Sequence, residues 1–257
     1  MTIRFSTGTR NGIAQGLGFG GLFNRGSIKI YSGAQPASGD AAVTGTLLGT
    51  VSVASATVTA ETRATGTVTL TGGGSGSVNT VTVGTFNIIP DGAVNFNTSL
   101  SQTASDLCDA INRNGIYTAT VSGAIVTISP RPGAGTSHNG YVVSATLTTI
   151  TASYANMASG TAPVAGLVWA PPNAGVLSKP STAVWGFTGT ASGTAGWFRL
   201  VASESDPGTL VSGAPYYARM DGSVAVSGAD LNLSNIAVAE SSPNTIDSLS
   251  FTVPAGA

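Results

Sequence analysis

The 257 residues include 10 Lys and Arg, 11 Asp and Glu and one His, for a formal net charge of -1, and only 8% of them are charged. An average soluble domain carries roughly 25%. Such scarcity excludes a disordered tail, a coiled coil and a phosphate-backbone binder, all of which depend on charge. Hydrophobic residues at 42% and 35 glycines leave ample material for a buried core at this length.

Residues 5–25 set Ile13, Leu17 and Leu22 at loosely helical spacing. Gly12, Gly16, Gly18, Gly20 and Gly21 interrupt that spacing, each at about 1 kcal/mol relative to Ala, so a short helix there needs packing partners. Residues 27–32 read as a strand with Ile28 and Ile30 on one face and Lys29 and Tyr31 on the other. A polar loop, 33–42, precedes a second extended stretch, 44–54. From residue 65 the texture changes. Val68 and Leu70, then Val81 and Val83, alternate with threonines around the glycines at 72–74. Ala104, Leu107, Cys108 and Ile111 repeat at helical spacing, and the pattern predicts a helix opened by Thr103 with Asp106 three residues on and closed by Asn114 and Gly115. Strands are expected at 117–121 and 124–128, joined by a turn at Ser122 and Gly123, with alternation returning at 141–151.

Beyond Pro163 the pattern predicts strands at 184–187, 196–201, 216–226, 231–239 and 248–253. The turn markers between them are Gly193, Asp206-Pro207-Gly208, Asp221-Gly222, Ser227-Gly228 and Pro243-Asn244. The economical architecture is mainly β. A discontinuous antiparallel β-sandwich, jelly-roll-like, is formed by 1–64 and 163–257, with a small α+β domain, 65–162, inserted in one of its loops. The outer segments need one another, because the first alone has too little core.

Chemistry-bearing residues are few. Cys108 is the one cysteine, lies between apolar positions and acidic neighbours, and reads as a buried structural residue. His138 sits in a glycine-rich loop without the elbow spacing of a serine hydrolase and reads as a solvated loop residue. One His and one Cys cannot fill a zinc shell. Asp221 and Asp230 could offer calcium ligands, but aspartate beside glycine is ordinary turn chemistry. The G-x-G-x-x-G match at 16–21 follows no hydrophobic strand, so packing is preferred to nucleotide binding. Glu61, Glu204 and Glu240 share no spacing that marks a glycosidase pair. Trp169, Trp185, Trp197, Tyr216 and Tyr217 could stack on a sugar, though core or interface positions are the commoner use. Asn97-Thr98-Ser99 and Asn232-Leu233-Ser234 match the glycosylation pattern, which matters only on a secretory route. The first 23 residues have no unbroken apolar run of leader type, and a soluble, cytoplasmically folded protein is expected. No residue is assigned to catalysis, to a cofactor or to a metal.

Several stretches carry a resemblance. Residues 1–7 (MTIRFST) and 26–37 (GSIKIYSGAQPA), with 193–200 (GTAGWFRL) and 221–233 (DGSVAVSGADLNL), are similar to the two halves of a widespread group of tailed-bacteriophage virion proteins. Those halves usually lie close together in sequence, whereas here 65–162 parts them. The parting segment, at 81–83 (VTV) and 104–112 (ASDLCDAIN), itself resembles a strand-helix-strand module of phage tail, neck and capsid accessory proteins. The resemblance implies a structural virion protein without enzymatic activity or cofactor, assembled in the host cytoplasm and located on the virion. Its role would be capsid decoration or cementing, with the major capsid protein, other virion proteins and copies of itself, in a possible homotrimer, as partners. Neither nucleic acid nor membrane is among the partners. Two alternatives are a neck, collar, baseplate or tail-fibre component that binds host glycans, and a polysaccharide-degrading enzyme, which would require a clustered acid pair.

Overall fold

The computed structural model describes residues 3–213 and 216–252 and is mainly β, with 42% strand and 10% helix. In chain order, a first compact unit opens with β1 (Arg4–Phe5), α1 (Thr7–Ala14), α2 (Phe19–Leu22), β2 (Ser27–Ser32) and β3 (Leu47–Val53). The second unit, Thr62–Ala162, holds β4 (Thr65–Gly72), β5 (Ser77–Val83), β6 (Phe86–Asn87), β7 (Val94–Asn95) and α3 (Leu100–Asn112), followed by β8 (Tyr117–Ser122), β9 (Ile125–Pro130), β10 (Val143–Thr148) and β11 (Thr151–Ala158). The chain then re-enters the first unit as β12 (Val176–Ser178), β13 (Trp185–Thr188), β14 (Gly193–Val201) and β15 (Arg219–Ala225). It ends in β16 (Leu231–Asn232), β17 (Ala237–Val238), β18 (Pro243–Ile246) and β19 (Ser250–Thr252).

In the first unit, one sheet runs β1-β15-β14-β2-β3-β13-β18, with β16 on β15 and β17 on β14; β12 and β19 form a separate antiparallel pair. All of these ladders are antiparallel except that of β16 on β15. Period-two alternation sends Ile28, Ile30, Phe198, Leu200, Met220 and Val224 to one face, where they join a core completed by Leu22, Phe23, Leu167, Trp169, Trp185 and Ile246. The two short helices are held from outside themselves, as their glycines require. The buried Ser6 hydroxyl accepts from Thr9 N at 3.2 Å to cap α1, donates to Tyr217 O at 2.7 Å, and accepts from Arg219 N at 2.9 Å. Gly12 is demanded by packing, since a Cβ there would lie 2.5 Å from Leu22 Cδ2.

The second unit contains two four-stranded sheets, β11-β4-β9-β8 and β10-β5-β6 with β7 on β5. Val68, Leu70, Val81, Val126 and Ile128 bury against Leu107, Cys108 and Ile111 of α3. The threonines that alternate with them pair across the exposed faces: Thr80 with Thr146 at 2.7 Å, and Thr82 with Ser144 at 2.7 Å.

Several local expectations are corrected. The cap of α3 is Ser99, whose Oγ accepts from Gln102 N at 3.1 Å, while Thr103 lies inside the helix and donates to Ser99 O. The backbone N–H of Asn97 also donates to Thr103 Oγ1, so Thr103 bonds the segment before the helix and the helix starts a turn early. Pro243 and Asn244 are not a turn but the start of edge strand β18, where Pro243 needs no ladder donor. Residues 231–239 break into β16 and β17 rather than forming one strand, and β11 was not anticipated. Gly193 opens β14 instead of turning before it. Asp221 and Gly222 sit inside β15, both buried. Met1, Thr2 and Val253 lie outside the described residues.

Candidate functional site

The face of the sheet opposite the core gathers the charge that is scarce elsewhere in the chain. Register places Thr50, Lys29, Arg199, Asp221 and Arg4 in one cross-strand row over β3, β2, β14, β15 and β1. The next row on the same face stacks Tyr31 on Trp197, with ring centroids 4.5 Å apart at 13°. Arg199 donates from Nε and Nη2 to the two oxygens of Asp221, both at 2.7 Å, and from Nη2 to Ala41 O at 3.1 Å. Its Nη1 is buried without an acceptor, and the guanidinium carbon lies 5.5 Å from the Trp197 ring centroid. Arg219, one strand along, holds both oxygens of Asp206 at 2.7 Å and donates to Thr209 O at 2.9 Å.

Two loops close over this layer. Residues 35–43 and 203–211 are tied together by Val43 N donating to Gly208 O at 2.9 Å and Val211 N to Asp40 O at 2.8 Å. Arg4 donates to Pro36 O from beneath. Arg199, Arg219 and Asp221 are consequently fully buried. Ions so placed depend on close bidentate pairing to offset lost hydration.

The covering stops short of β2 and β3. A cavity of about 440 Å³ remains there, lined by Ser27, Lys29, Thr50, Thr188, Ser203 and Asp206 among others. Its walls are otherwise mainly small apolar residues and further serines and threonines, with Arg25 and Glu204 also present. Lys29 is half-buried, and its Nζ donates to the main-chain carbonyl of Asp206 at 3.4 Å. Burial lowers its pKa, as do the nearby Arg199 and Arg219, against the opposing pull of Asp206.

A second depression of the first unit is apolar and larger, about 1170 Å³. Phe5, Ile13, Phe19, Trp169, Pro171 and Phe251 are among the residues that line it. Phe5 and Ile13 are 39% and 44% exposed. The G-x-G-x-x-G stretch runs from the end of α1 into α2 and contributes to this wall, but its glycines are not demanded by close packing: a Cβ at Gly16, Gly18 or Gly21 would meet nothing within 4 Å.

Of the residues singled out from sequence, Trp169, Trp185 and Trp197 are buried, Tyr216 is exposed, and Tyr217 lies 5.3 Å from the Arg219 guanidinium carbon. Cys108 is buried, and burial raises its thiol pKa. Asp221 and Asp230 are not turn ligands: the first pairs with Arg199, and the second accepts from Ser223 N and Oγ at 2.8 and 2.7 Å. Among the described residues no three His, Cys, Asp or Glu side chains converge as a metal site. Glu61 and Glu204 face each other as bridge partners, but Glu61 Oε1 accepts from Ser203 Oγ at 2.7 Å and Glu240 lies elsewhere in the chain. No helix of the described residues is long and apolar enough to cross a membrane.

His138 is more enclosed than the loop reading predicts. Its ring meets Tyr117 edge-on at 5.5 Å and lies 5.1 Å from Tyr141, with Ser137 Oγ 2.9 Å from Nδ1. Burial lowers its pKa below 6.5. The folded state thus binds fewer protons than the unfolded state, so the stability that neutral His138 contributes is present above pH 6.5. It is lost as pH falls through the lowered value. Because His138 is the one histidine, its single imidazole resonance should titrate below 6.5, and His138→Phe should remove that part of the acid destabilisation. A midpoint at or above 6.5 would contradict the enclosure.

A scan of protein-family models and a search of curated proteins give no match to this chain.

Proposed function

We propose that the chain is a structural virion protein of a tailed bacteriophage, one that decorates or cements the capsid and contacts the major capsid protein and copies of itself. The observation that carries this reading is the arrangement of the resembling stretches. The four that are similar to the two halves, at 1–7, 26–37, 193–200 and 221–233, are separated by some 160 residues of chain yet contribute neighbouring strands of one sheet, in the order β1-β15-β14-β2, around the charged row, while those at 81–83 and 104–112 belong to the second unit.

The surface supports assembly. Of the 21 charged residues, Glu61, Arg199, Arg219 and Asp221 are buried, so the exterior carries still less charge than the composition suggests. Hydroxylated faces lose little hydration energy on burial, since no ion must be stripped of water. The apolar depression with Phe5 and Ile13 exposed suits an apolar segment of a neighbouring virion subunit.

The test is particle-based. Phage lacking the protein should assemble yet lose resistance to heat and osmotic shock, and added full-length protein should bind the expanded capsid and restore both. Unchanged particle stability, or a label confined to the neck or tail, would overturn capsid cementing.

A further inference from the structure

We infer that the cavity over Lys29 is a binding site for a small polyhydroxy carboxylate, the chemistry of a uronic acid. The cavity carries this assignment independently of the virion reading.

The charged layer contains Lys29, Arg199, Arg219 and, at its far edge, Arg4, which donates to Pro36 O, with two carboxylates, Asp206 and Asp221; Arg25 and Glu204 add to the cavity wall itself. Each carboxylate gives both oxygens to one guanidinium. Lys29 faces the cavity with no carboxylate within ion-pair distance among the described residues, and a single long bond to a carbonyl uses one of its three protons. An ammonium that is half-buried beside two guanidinium groups gains most from an anion brought to it.

The walls select the rest of the ligand. Ser27, Thr50 and Thr188 offer hydroxyls, which both donate and accept and so match the hydroxyls of a sugar ring, while Ser203, whose proton goes to Glu61, is limited to accepting. Arg199 and Arg219 are each taken up by a carboxylate, and Glu204 lines the wall together with Lys29 and Arg25, a setting that favours a singly charged carboxylate over phosphate. A volume near 440 Å³ is within the range of small-ligand sites. Lys29 and Thr50 are directly opposed across β2 and β3, so carboxylate and ring hydroxyls would be bound by adjacent residues of one rigid sheet.

Titration of the isotope-labelled full chain with glucuronate, followed by amide NMR and calorimetry, should shift Ser27, Lys29 and Thr50 with a dissociation constant in the millimolar range or tighter. Lys29→Met should weaken binding about 10- to 100-fold, the loss of one charge-assisted hydrogen bond. Thr50→Val, which leaves the ionic layer intact, should weaken it several-fold without altering the unfolding curve, so the site remains testable should Lys29→Met fold poorly. Binding of methyl glucuronide as well as glucuronate would assign the site to a unit of a polysaccharide, and binding of glucuronate alone to a free hydroxy acid. Glucose or inorganic phosphate bound as tightly as glucuronate would overturn the proposal. So would no response in the millimolar range, or unchanged affinity in Thr50→Val.

Discussion

Asp221→Asn should lower the stability of the first unit by about 3–5 kcal/mol, because it leaves Arg199 charged, buried and unpaired. The measurement is clean in this chain. All three tryptophans, Trp169, Trp185 and Trp197, belong to the first unit, so fluorescence during denaturant unfolding reports that unit. The double replacement Arg199→Met with Asp221→Leu should cost less than Asp221→Asn alone, since it removes both desolvated ions instead of orphaning one. A loss under about 0.5 kcal/mol for Asp221→Asn would show that the charged layer is hydrated, contrary to the complete burial of both partners.

Gly222→Ala, at the neighbouring position, should cost about 1–3 kcal/mol by overpacking. Its Cβ would lie 2.5 Å from Phe198 Cε1 and 2.6 Å from Cζ, and that ring is fully buried in the core and cannot swing aside. Phe198→Leu deletes those two atoms. In that background Gly222→Ala should become nearly neutral, giving a coupling of about 1 kcal/mol or more in a double-mutant cycle. Equal costs in the two backgrounds would mean that the glycine is needed for its backbone and not for the ring opposite it.

These two residues also show where sequence reading stops. Asp-Gly is a strong local turn signal, and Asp221-Gly222 reads as a turn for that reason. What overrides the signal is non-local: a guanidinium on the adjacent strand takes the carboxylate, and a phenyl ring across the same ladder fills the space of the missing side chain. Alternation was legible in β2, where Ile28 and Ile30 oppose Lys29 and Tyr31. In β14 it marked the core residues Phe198 and Leu200 but concealed the burial of Trp197 and Arg199, because the second face is covered by the distant loop 35–43 held against the loop 203–211. The start of α3 moved for a similar reason, as Thr103 looked like a cap and became a buried residue bonded to the true cap.

The cavity over Lys29 had no sequence signature, since its lining comes from five separated segments and contains no motif. The available signal was one lysine between Ile28 and Ile30 in a strand of a chain with few charges. Sequence by itself determined the mainly β class, the apolar face of most strands and the poverty of ligand-forming His and Cys, because side-chain direction follows from backbone period and metal shells from composition. Only the tertiary structure decided which strands are neighbours, which polar face is covered and which carboxylate each buried guanidinium takes. Pairing and burial depend on residues brought together from distant parts of the chain, and a local pattern carries no record of what will lie opposite it.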